Sequence, residues 1–600
     1  MKTYIYLLIL LLVVADESAF AQTTKSKVDK LHSFLQAYDE AYLKLFPFRA
    51  TARGDSRYND QFDIDTEAHR KLEKELYRQY LQSLKAVDRF KLSKQDKLNY
   101  DVFLYTLQKN LKATELENHL LPIHQFFSMP ADFARNGSGA GIHPFETEKD
   151  YEDFLKRMAK YVEWTDTTIQ NMRIGMAKGV VQPKILMEKV LPQLQSMVVK
   201  DVKESVFYKP VTDTPDSFDT KVKARLQKAY TEAIQTQIIP SYQKLHDFIK
   251  NEYIPKCRTT IGLLNLPSGT EKYAFLVQSY TTTDLTPDQI FDIGMREVKR
   301  IKVEMETLKE EVGFTGDLQT FFKNLNTDPK IYPFKTEEEI LQAYQDIHTR
   351  MLPQLNKTFN LVPKAPFEVR VIEKYLAATI AAHYMRPSAD GSRPGVFYVP
   401  IPDPKKYPYY SMESLFLHEA IPGHHYQLAI QQELTHLPNL RKFGGVTAFG
   451  EGWGLYVEGL GKELGLYTDP YQYLGRLQAD MHRALRLVLD VGIHHKGWNR
   501  QQAIDFSLEN EAISEQKIIS EVDRYIAMPG QALSYKIGEL KIIELRNKAQ
   551  QALGNKFDIK SFHDEVLKEG ALPLAVLETK INAWIETSAK AEEVKAGNNE

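Results

Sequence analysis

The chain of 600 residues is 43% hydrophobic and 26% charged, which is an ordinary globular composition for a body of one or two lobes. Its 77 lysine and arginine residues nearly balance its 79 acidic residues. This balance excludes a global positive field that could hold nucleic acid or an anionic membrane surface. We therefore expect a partner that is recognised locally, and no nucleic acid.

The first 21 residues have the pattern of a secretory signal peptide. Lys2 precedes an apolar run over 4–14, and a small-x-small site at 19–21 ends the segment. The pattern predicts cleavage after Ala21 and a periplasmic or secreted mature protein, with an uncleaved anchor as the alternative. Because no cysteine stands at the cleavage point, we do not expect bacterial lipidation. No later apolar stretch is long enough for a stable membrane span.

The chain has a single cysteine, Cys257. One cysteine excludes an intramolecular disulfide and leaves no thiolate set for a metal centre. Nitrogen and oxygen atoms must hold any bound metal.

Helical periodicity dominates the chain after residue 22. Apolar residues recur at spacings of three and four around 28–42, 71–110, 149–176 and 216–250, which predicts scaffold helices. The sequence Thr-Pro-Asp-Gln at 286–289 predicts a capped helix start, with Thr286 as N-cap, and a helix that continues to about Val312.

Strand signals are few and close together. Alternation at 367–371 and the run Val396–Val399 after the turn signal at 390–395 predict a small sheet. We therefore predict a mainly α fold, with a large helical two-lobed body, a central channel and a small β-sheet near the active site. The expected N-terminal lobe covers about 22–280, and the catalytic lobe covers about 281–590.

The segment around His418 has the residue types of a zinc hydrolase. His418 and Glu419 are adjacent, and His424 and His425 follow Pro422-Gly423. Imidazoles bind zinc, and a carboxylate off the metal takes a proton from water. On an unbroken helix, a residue six positions along faces away and one seven positions along rises by about 10 Å. A break at Pro422-Gly423 is therefore expected. It favours His424 as the second ligand because the insertion is then smaller, with His425 as the alternative.

A third ligand is expected from the next glycine-rich helix. Glu451 and Glu458 lie seven residues apart and can share one helix face. We predict Glu451 as the metal ligand and Glu458 as the partner of a ligand histidine. Carboxylates among apolar neighbours such as Trp453 require a partner, which argues against a purely solvated role.

Donors for a developing oxyanion are expected further along the chain. A zinc peptidase needs such a donor near its metal, and a tyrosine or histidine can provide it. Tyr535 is the favoured candidate, with His494 and Tyr525 as alternatives. Arg524 is a candidate for anchoring a substrate carboxylate through a bidentate pair.

Several stretches strongly resemble the domain-of-unknown-function 885 family of bacterial, often exported, proteins. They are TTTDLTP (281–287), DGSRPGVFYV (390–399), HEAIPGHHYQ (418–427), GEGWGLYVE (450–458), GIHHKGW (492–498) and RYIAMPGQALSYKIG (524–538). The family is similar in outline to the gluzincin metallopeptidases. This likeness implies that Glu451 matches their downstream ligand and Tyr535 their transition-state tyrosine, while the Pro-Gly insertion departs from their pattern.

Together these patterns predict an exported zinc-dependent peptidase that hydrolyses short peptides, with Zn²⁺ as cofactor and Glu419 as general base. The strand at 396–399 is predicted to pair with an extended peptide. The alternatives are a zinc hydrolase of a non-peptide amide or ester, and a non-catalytic protein that binds peptide or metal.

Overall fold

A computed structural model describes residues 27–372, 381–387 and 393–596, and its fold is mainly α, as predicted. The predicted signal peptide and residues 390–392 of the turn signal lie outside the described residues. Within the described ranges, every helix is too short or too polar to cross a lipid bilayer.

The α-helices of the described chain follow one another with short connections. They are α1 (Lys27–Leu45), α2 (Pro47–Ala52), α3 (Glu67–Lys85), α4 (Lys94–Ala113), α5 (Met129–Gly137), α6 (Glu148–Lys178), α7 (Lys184–Gln195), α8 (Lys209–Thr212), α9 (Thr220–Ala233), α10 (Ile239–Phe248), α11 (Gly269–Thr281), α12 (Pro287–Glu311), α13 (Leu318–Leu325), α14 (Glu337–Thr358), α15 (Met412–Glu419), α16 (His424–Glu433), α17 (Asn439–Lys442), α18 (Thr447–Glu458), α19 (Pro470–His494), α20 (Arg500–Leu508), α21 (Glu515–Ala527), α22 (Ser534–Leu553), α23 (Ile559–Leu567) and α24 (Leu574–Ala596).

Local sequence sets the helix ends where the capping chemistry is strong. The Thr286 hydroxyl accepts a hydrogen bond from the Gln289 amide at 3.3 Å, and the Gln289 side chain accepts one from the Thr286 amide at 2.9 Å. This reciprocal pair satisfies two of the amides that every helix start leaves without an intrahelical acceptor. The predicted start of α12 is confirmed.

Within the described residues the sheet has three strands, β1 (Phe367–Val371), β2 (His383–Met385) and β3 (Gly395–Val399), in the order β1-β3-β2. β1 runs parallel to β3 and β2 runs antiparallel to it. β3 is therefore the central strand, and both of its edges already have partners. The prediction that β3 pairs with an extended peptide is wrong, because strand addition requires a free edge.

The described residues form two large apolar cores and one small core. The first combines residues between 62 and 331 with residues between 410 and 532. The second contains the sheet and most of the helices between 412 and 585. The first core thus joins side chains from both sides of residue 280, and the lobe boundary near that residue stays a prediction. The second core surrounds the helices that carry the candidate site.

Candidate metal centre

The helix that carries His418 breaks where the sequence predicts. α15 ends at Glu419, a turn follows, and α16 begins at His424. A Cβ atom on Gly423 would lie 2.0 Å from the His418 carbonyl oxygen and 2.2 Å from that of Leu417, so only glycine fits this turn. The Trp453 indole N–H donates to the Pro422 carbonyl at 2.9 Å and ties the turn to α18.

His418, His424 and Glu451 converge across this break. One side-chain donor atom from each lies within 4.8 Å of the others. The Nε2 atoms of both histidines lie 3.6 Å from Glu451 Oε2. Two ligands at ~2.0–2.1 Å from a tetrahedral zinc ion lie about 3.3 Å apart, which is close to this spacing. The nitrogen and oxygen donors therefore fit a zinc ion.

His425 takes a different position from its neighbour. Its side chain is buried, and its Nδ1 atom forms a 2.8 Å hydrogen bond with the Tyr384 hydroxyl of β2. Burial lowers the pKa of His425 to about 4. The imidazole thus connects α16 to the sheet, and the structure brings His424, not His425, into the cluster.

Glu458 orients the His418 ring from behind. Its Oε1 atom lies 2.8 Å from His418 Nδ1, and its Oε2 atom accepts a 2.5 Å hydrogen bond from Ser414. Arg483 lies 3.6 Å from Oε1. A carboxylate on Nδ1 fixes the proton there and leaves Nε2 to face Glu451, which is how metal-binding histidines are usually oriented.

The carboxylates around His418 favour a positive charge. Burial opposes protonation of this ring, but Glu451 and Glu458 raise its pKa to about 9. Burial alone would raise the pKa of Glu458; Arg483 and His418 outweigh that effect and lower it. A site that favours a proton on a buried imidazole also favours a metal cation in its place.

Glycines let the ligand helix approach its neighbours closely. A Cβ atom on Gly454 would lie 2.8 Å from His418 Cε1, so the imidazole packs directly on the α18 backbone. On another side, a Cβ on Gly452 would lie 2.4 Å from the Gly538 carbonyl carbon of α22. Close packing on two sides of the α18 backbone therefore holds the main chain that carries Glu451 in position.

Glu419 directly follows the candidate ligand His418 in the chain, and its carboxylate is unpaired among the described residues. The residue is 9% exposed. Among the described residues, no hydrogen bond or ion pair involves this carboxylate, although its charge acts on His418. A carboxylate with these properties can accept a proton from a bound water, and the role of Glu419 as general base stays a prediction.

The predicted oxyanion donors differ in their surroundings. His494 is fully buried; its Nδ1 accepts a bond from the Leu263 amide at 3.2 Å, and its Nε2 donates to the Tyr525 carbonyl at 2.9 Å. The Tyr525 hydroxyl donates to Glu521 at 3.0 Å. These contacts do not support His494 or Tyr525 as donors to a substrate, because the donor group of each side chain already bonds another group of the protein.

Tyr535 lies at the start of α22 between two arginines. Its hydroxyl accepts a 3.4 Å hydrogen bond from Arg524, and the Arg486 guanidinium lies 4.4 Å from the ring centroid. No described acceptor takes the Tyr535 proton. Tyr535 therefore remains a candidate donor, and Arg524, which also bonds Gln531 at 2.9 Å, is close to it.

Sequence reasoning missed four side chains that support these groups. They are Ser414, Arg483, His482 and Glu521. Three of these had a local signal, because Ser414 stands one turn before His418, Glu521 one turn before Tyr525 and His482 one turn before Arg486, to which it bonds at 3.3 Å. Arg483 had none, since its partner Glu458 comes from another helix.

A separate cleft of about 800 Å³ lies at the far end of α16. It is lined by residues of α1 and α17, by the segment 53–57 that follows α2, and by Ala429, Gln432 and Glu433 of α16. None of the predicted site residues lines it. The predicted central channel stays a prediction.

The comparisons with known proteins agree with this architecture. A family model described as "Bacterial protein of unknown function (DUF885)" matches residues 47–581. The crystal structure of a candidate lipoprotein from Colwellia psychrerythraea is 27% identical, with a TM-score of 0.87 over 93% of this chain and 99% of that chain. A candidate lipoprotein of unknown function from Shewanella oneidensis is 20% identical, with a TM-score of 0.70 over 92% and 99% of the two chains, which shows a shared fold. No curated protein matches the sequence.

Proposed function

The chain belongs to the DUF885 family of bacterial proteins, and from that premise we propose that it is an exported zinc-dependent peptidase that acts on short peptides. The observation that carries the proposal is the convergence of His418, His424 and Glu451 beside Glu419. Three protein ligands with a neighbouring free carboxylate are the donor set of a catalytic zinc site, in which a fourth position stays open to water or substrate. We include in this proposal that the protein is related in mechanism to the gluzincin metallopeptidases.

Each group has one task in the proposed reaction. Zinc, when bound, polarises the scissile carbonyl and acidifies water. Glu419 accepts the proton of the attacking water and delivers it to the leaving amine. The Tyr535 hydroxyl donates to the carbonyl oxygen as that atom gains charge. Glu458 and Ser414 hold the His418 ring in place. A carboxylate with a purely structural role at position 419 would be paired with another side chain. A protein that only binds peptide or metal would not need an unpaired carboxylate beside the metal ligands.

Export is supported by two observations. The first 21 residues have the pattern of a signal peptide. The Colwellia and Shewanella proteins are both described as candidate lipoproteins, a class of exported proteins. The only cysteine of this chain is Cys257, so the proposal here is export without lipidation at the predicted cleavage point.

The variant Glu419→Gln tests the proposal directly. It keeps the side-chain shape and the three metal ligands but removes the base, so we expect unchanged zinc content and hydrolysis lowered by about 10²–10⁴-fold. Zinc is measured by elemental analysis after dialysis, and hydrolysis with a panel of short peptides. The matched control is Glu544→Gln, an exposed carboxylate of α22. Retained turnover in Glu419→Gln, or a wild-type protein that binds no divalent metal, contradicts the proposal.

A further inference from the structure

A buried arginine beside Tyr535 has an unsatisfied N–H group. Arg486 of α19 is 6% exposed; its Nη2 donates to Glu521 at 2.9 Å and its Nε to the Tyr525 hydroxyl at 3.3 Å. Its Nη1 is buried and has no hydrogen-bond partner among the described residues. Buried guanidinium groups are normally paired and hydrogen-bonded, so the free N–H indicates an acceptor that the chain itself does not supply.

The charges around Arg486 and Arg524 also indicate a missing acceptor. Arg486 and Arg524 both contact Glu521, and no other described carboxylate contacts either guanidinium. The next acid, Glu511, is engaged by His482 at 2.7 Å and by the Ser507 hydroxyl. Two guanidinium groups thus share one carboxylate in a largely buried setting. A second carboxylate would complete the pairing, and arginine binds carboxylates through two parallel N–H groups.

Two independent connections place these arginines beside the metal centre. Arg483 lies one turn before Arg486 on the same face of α19 and approaches Glu458, the carboxylate that orients His418. Residues three apart on a helix have Cβ atoms about 5–6 Å apart. From the other side, Arg486 stacks on Tyr535, which stands one turn before Gly538, the residue that packs on α18 next to Glu451.

We propose that Arg486 and Arg524 bind the C-terminal carboxylate of the peptide substrate. The inference rests on the proposed peptidase function and makes the substrate class narrower: peptides with a free C-terminus, cleaved near that end. The Arg524 side chain is 19% exposed and forms the accessible side of the subsite, while Arg486 supplies the buried side. A carboxylate bound there lies next to the Tyr535 hydroxyl, which aligns the scissile carbonyl with its donor.

The test measures binding, separately from hydrolysis. Zinc-loaded Glu419→Gln protein is titrated by calorimetry with N-acetylated alanine peptides of graded length, each as the free acid and as the C-terminal amide. We expect amidation to weaken binding by about 10-fold or more, which corresponds to one charge-assisted pair. An amidated peptide with an internal glutamate separates a terminal carboxylate from a side-chain carboxylate, and we expect it to bind like the plain amide.

Variants at Arg524, the more accessible of the two arginines, complete the test. Adding Arg524→Gln should weaken the free acids to the level of the amides and leave the amides unchanged, with partial recovery in Arg524→Lys. The control is Arg546→Gln, because that side chain on α22 is also 19% exposed. Equal binding of acid and amide, acid-like binding of the internal-glutamate amide, an unchanged ratio in Arg524→Gln, or no binding by any peptide overturns the inference.

The two proposals can fail separately. If wild-type protein hydrolyses C-terminally blocked peptides as fast as free ones, the peptidase proposal stands and the carboxylate subsite falls. If no peptide is hydrolysed but free acids bind better than amides through Arg524, the subsite stands and the peptidase proposal falls.

Discussion

At the scale of single residues, the candidate metal centre depends on groups outside the three proposed ligands. The Glu458 carboxylate bonds His418 Nδ1 at 2.8 Å and is itself held by Ser414 and Arg483. These contacts settle which ring nitrogen carries the proton and where the other nitrogen points. The affinity of the proposed site for a metal should therefore depend on these three side chains as well as on the three proposed ligands.

Glu458→Gln is expected to weaken zinc binding by about 10–100-fold while the fold is retained, because the amide keeps a bond to the ring but loses the negative charge that makes the imidazole a stronger ligand. Competition against a coloured chelator at constant pH measures the affinity. Glu544→Gln serves again as the exposed control. Equal affinities of the two variants would show that Glu458 has no part in metal binding.

The sequence predicted His418, Glu419 and Glu451 as site residues because their types and spacing are unusual together. It could not choose firmly between His424 and His425. That choice depends on the path of a four-residue turn, which is held by the Trp453 indole and by the lack of a side chain on Gly423. Arg483 could not be predicted, because its partner Glu458 is distant in the chain and no local pattern joins them.

At the scale of secondary-structure elements, α18 is notable for glycines that contact other backbones or rings. Gly454→Ala would put a Cβ atom 2.8 Å from His418 Cε1 and move the ring. Alanine favours a helix over glycine by about 1 kcal/mol, so the helix itself is not weakened. We therefore expect a large loss of zinc affinity with little loss of thermal stability.

The matched control for Gly454→Ala is Gly450→Ala on the same helix. A Cβ atom there would meet only the Gln427 side chain, at an ordinary 3.5 Å. Zinc affinity and thermal unfolding are measured for both variants with circular dichroism and chelator competition. If both lose zinc equally, or if neither does, the close contact between Gly454 and His418 is not what positions the ligand.

Helix starts with strong capping sequences, such as that of α12, were predictable because the chemistry is local. The strands were harder to predict from the sequence. β1 and β3 were found from their apolar patterns, whereas β2 is only three residues long and has no such pattern. β3 is the central strand only because β2 pairs with its second edge. Because β2 could not be predicted from the sequence, the lack of a free edge on β3 could not be predicted either.

At the scale of the whole molecule, buried histidines make stability depend on pH. Burial lowers the pKa of His494 to about 3, and nearby Arg258 acts in the same direction, while the bond to the Tyr525 carbonyl opposes them. The folded pKa is thus below the unfolded value of about 6.5. The fold prefers the neutral ring, so the stabilisation is complete above pH 6.5 and is lost as pH falls towards 3.

We expect His494 to account for about 2 kcal/mol of the loss in unfolding free energy between pH 7 and pH 5. His494→Gln should be less stable at pH 7, because the ring bonds are lost, but should lose about that much less on acidification. Urea unfolding at the two pH values measures both quantities. His436→Gln, at a half-exposed position, is the control. A variant whose stability falls with pH as steeply as the wild type contradicts the assignment.

Fold class was predictable at this scale because helical periodicity covers most of the chain. The arrangement of the cores was not, since the first core joins helices near the start of the chain to α19, α20 and α21. Such contacts join residues hundreds of positions apart, and apolar periodicity shows only that a face is buried, not what covers it.

The seams along α18 place main chain against main chain or against a ring, where a protein ordinarily interposes rotatable side chains. Main-chain atoms cannot change rotamer, so the separation between the imidazole of residue 418 and the backbone that carries residue 451 is fixed when the chain folds. The proposed cation would therefore meet a ring and a helix backbone that are already in place, and its binding would need little further ordering of either.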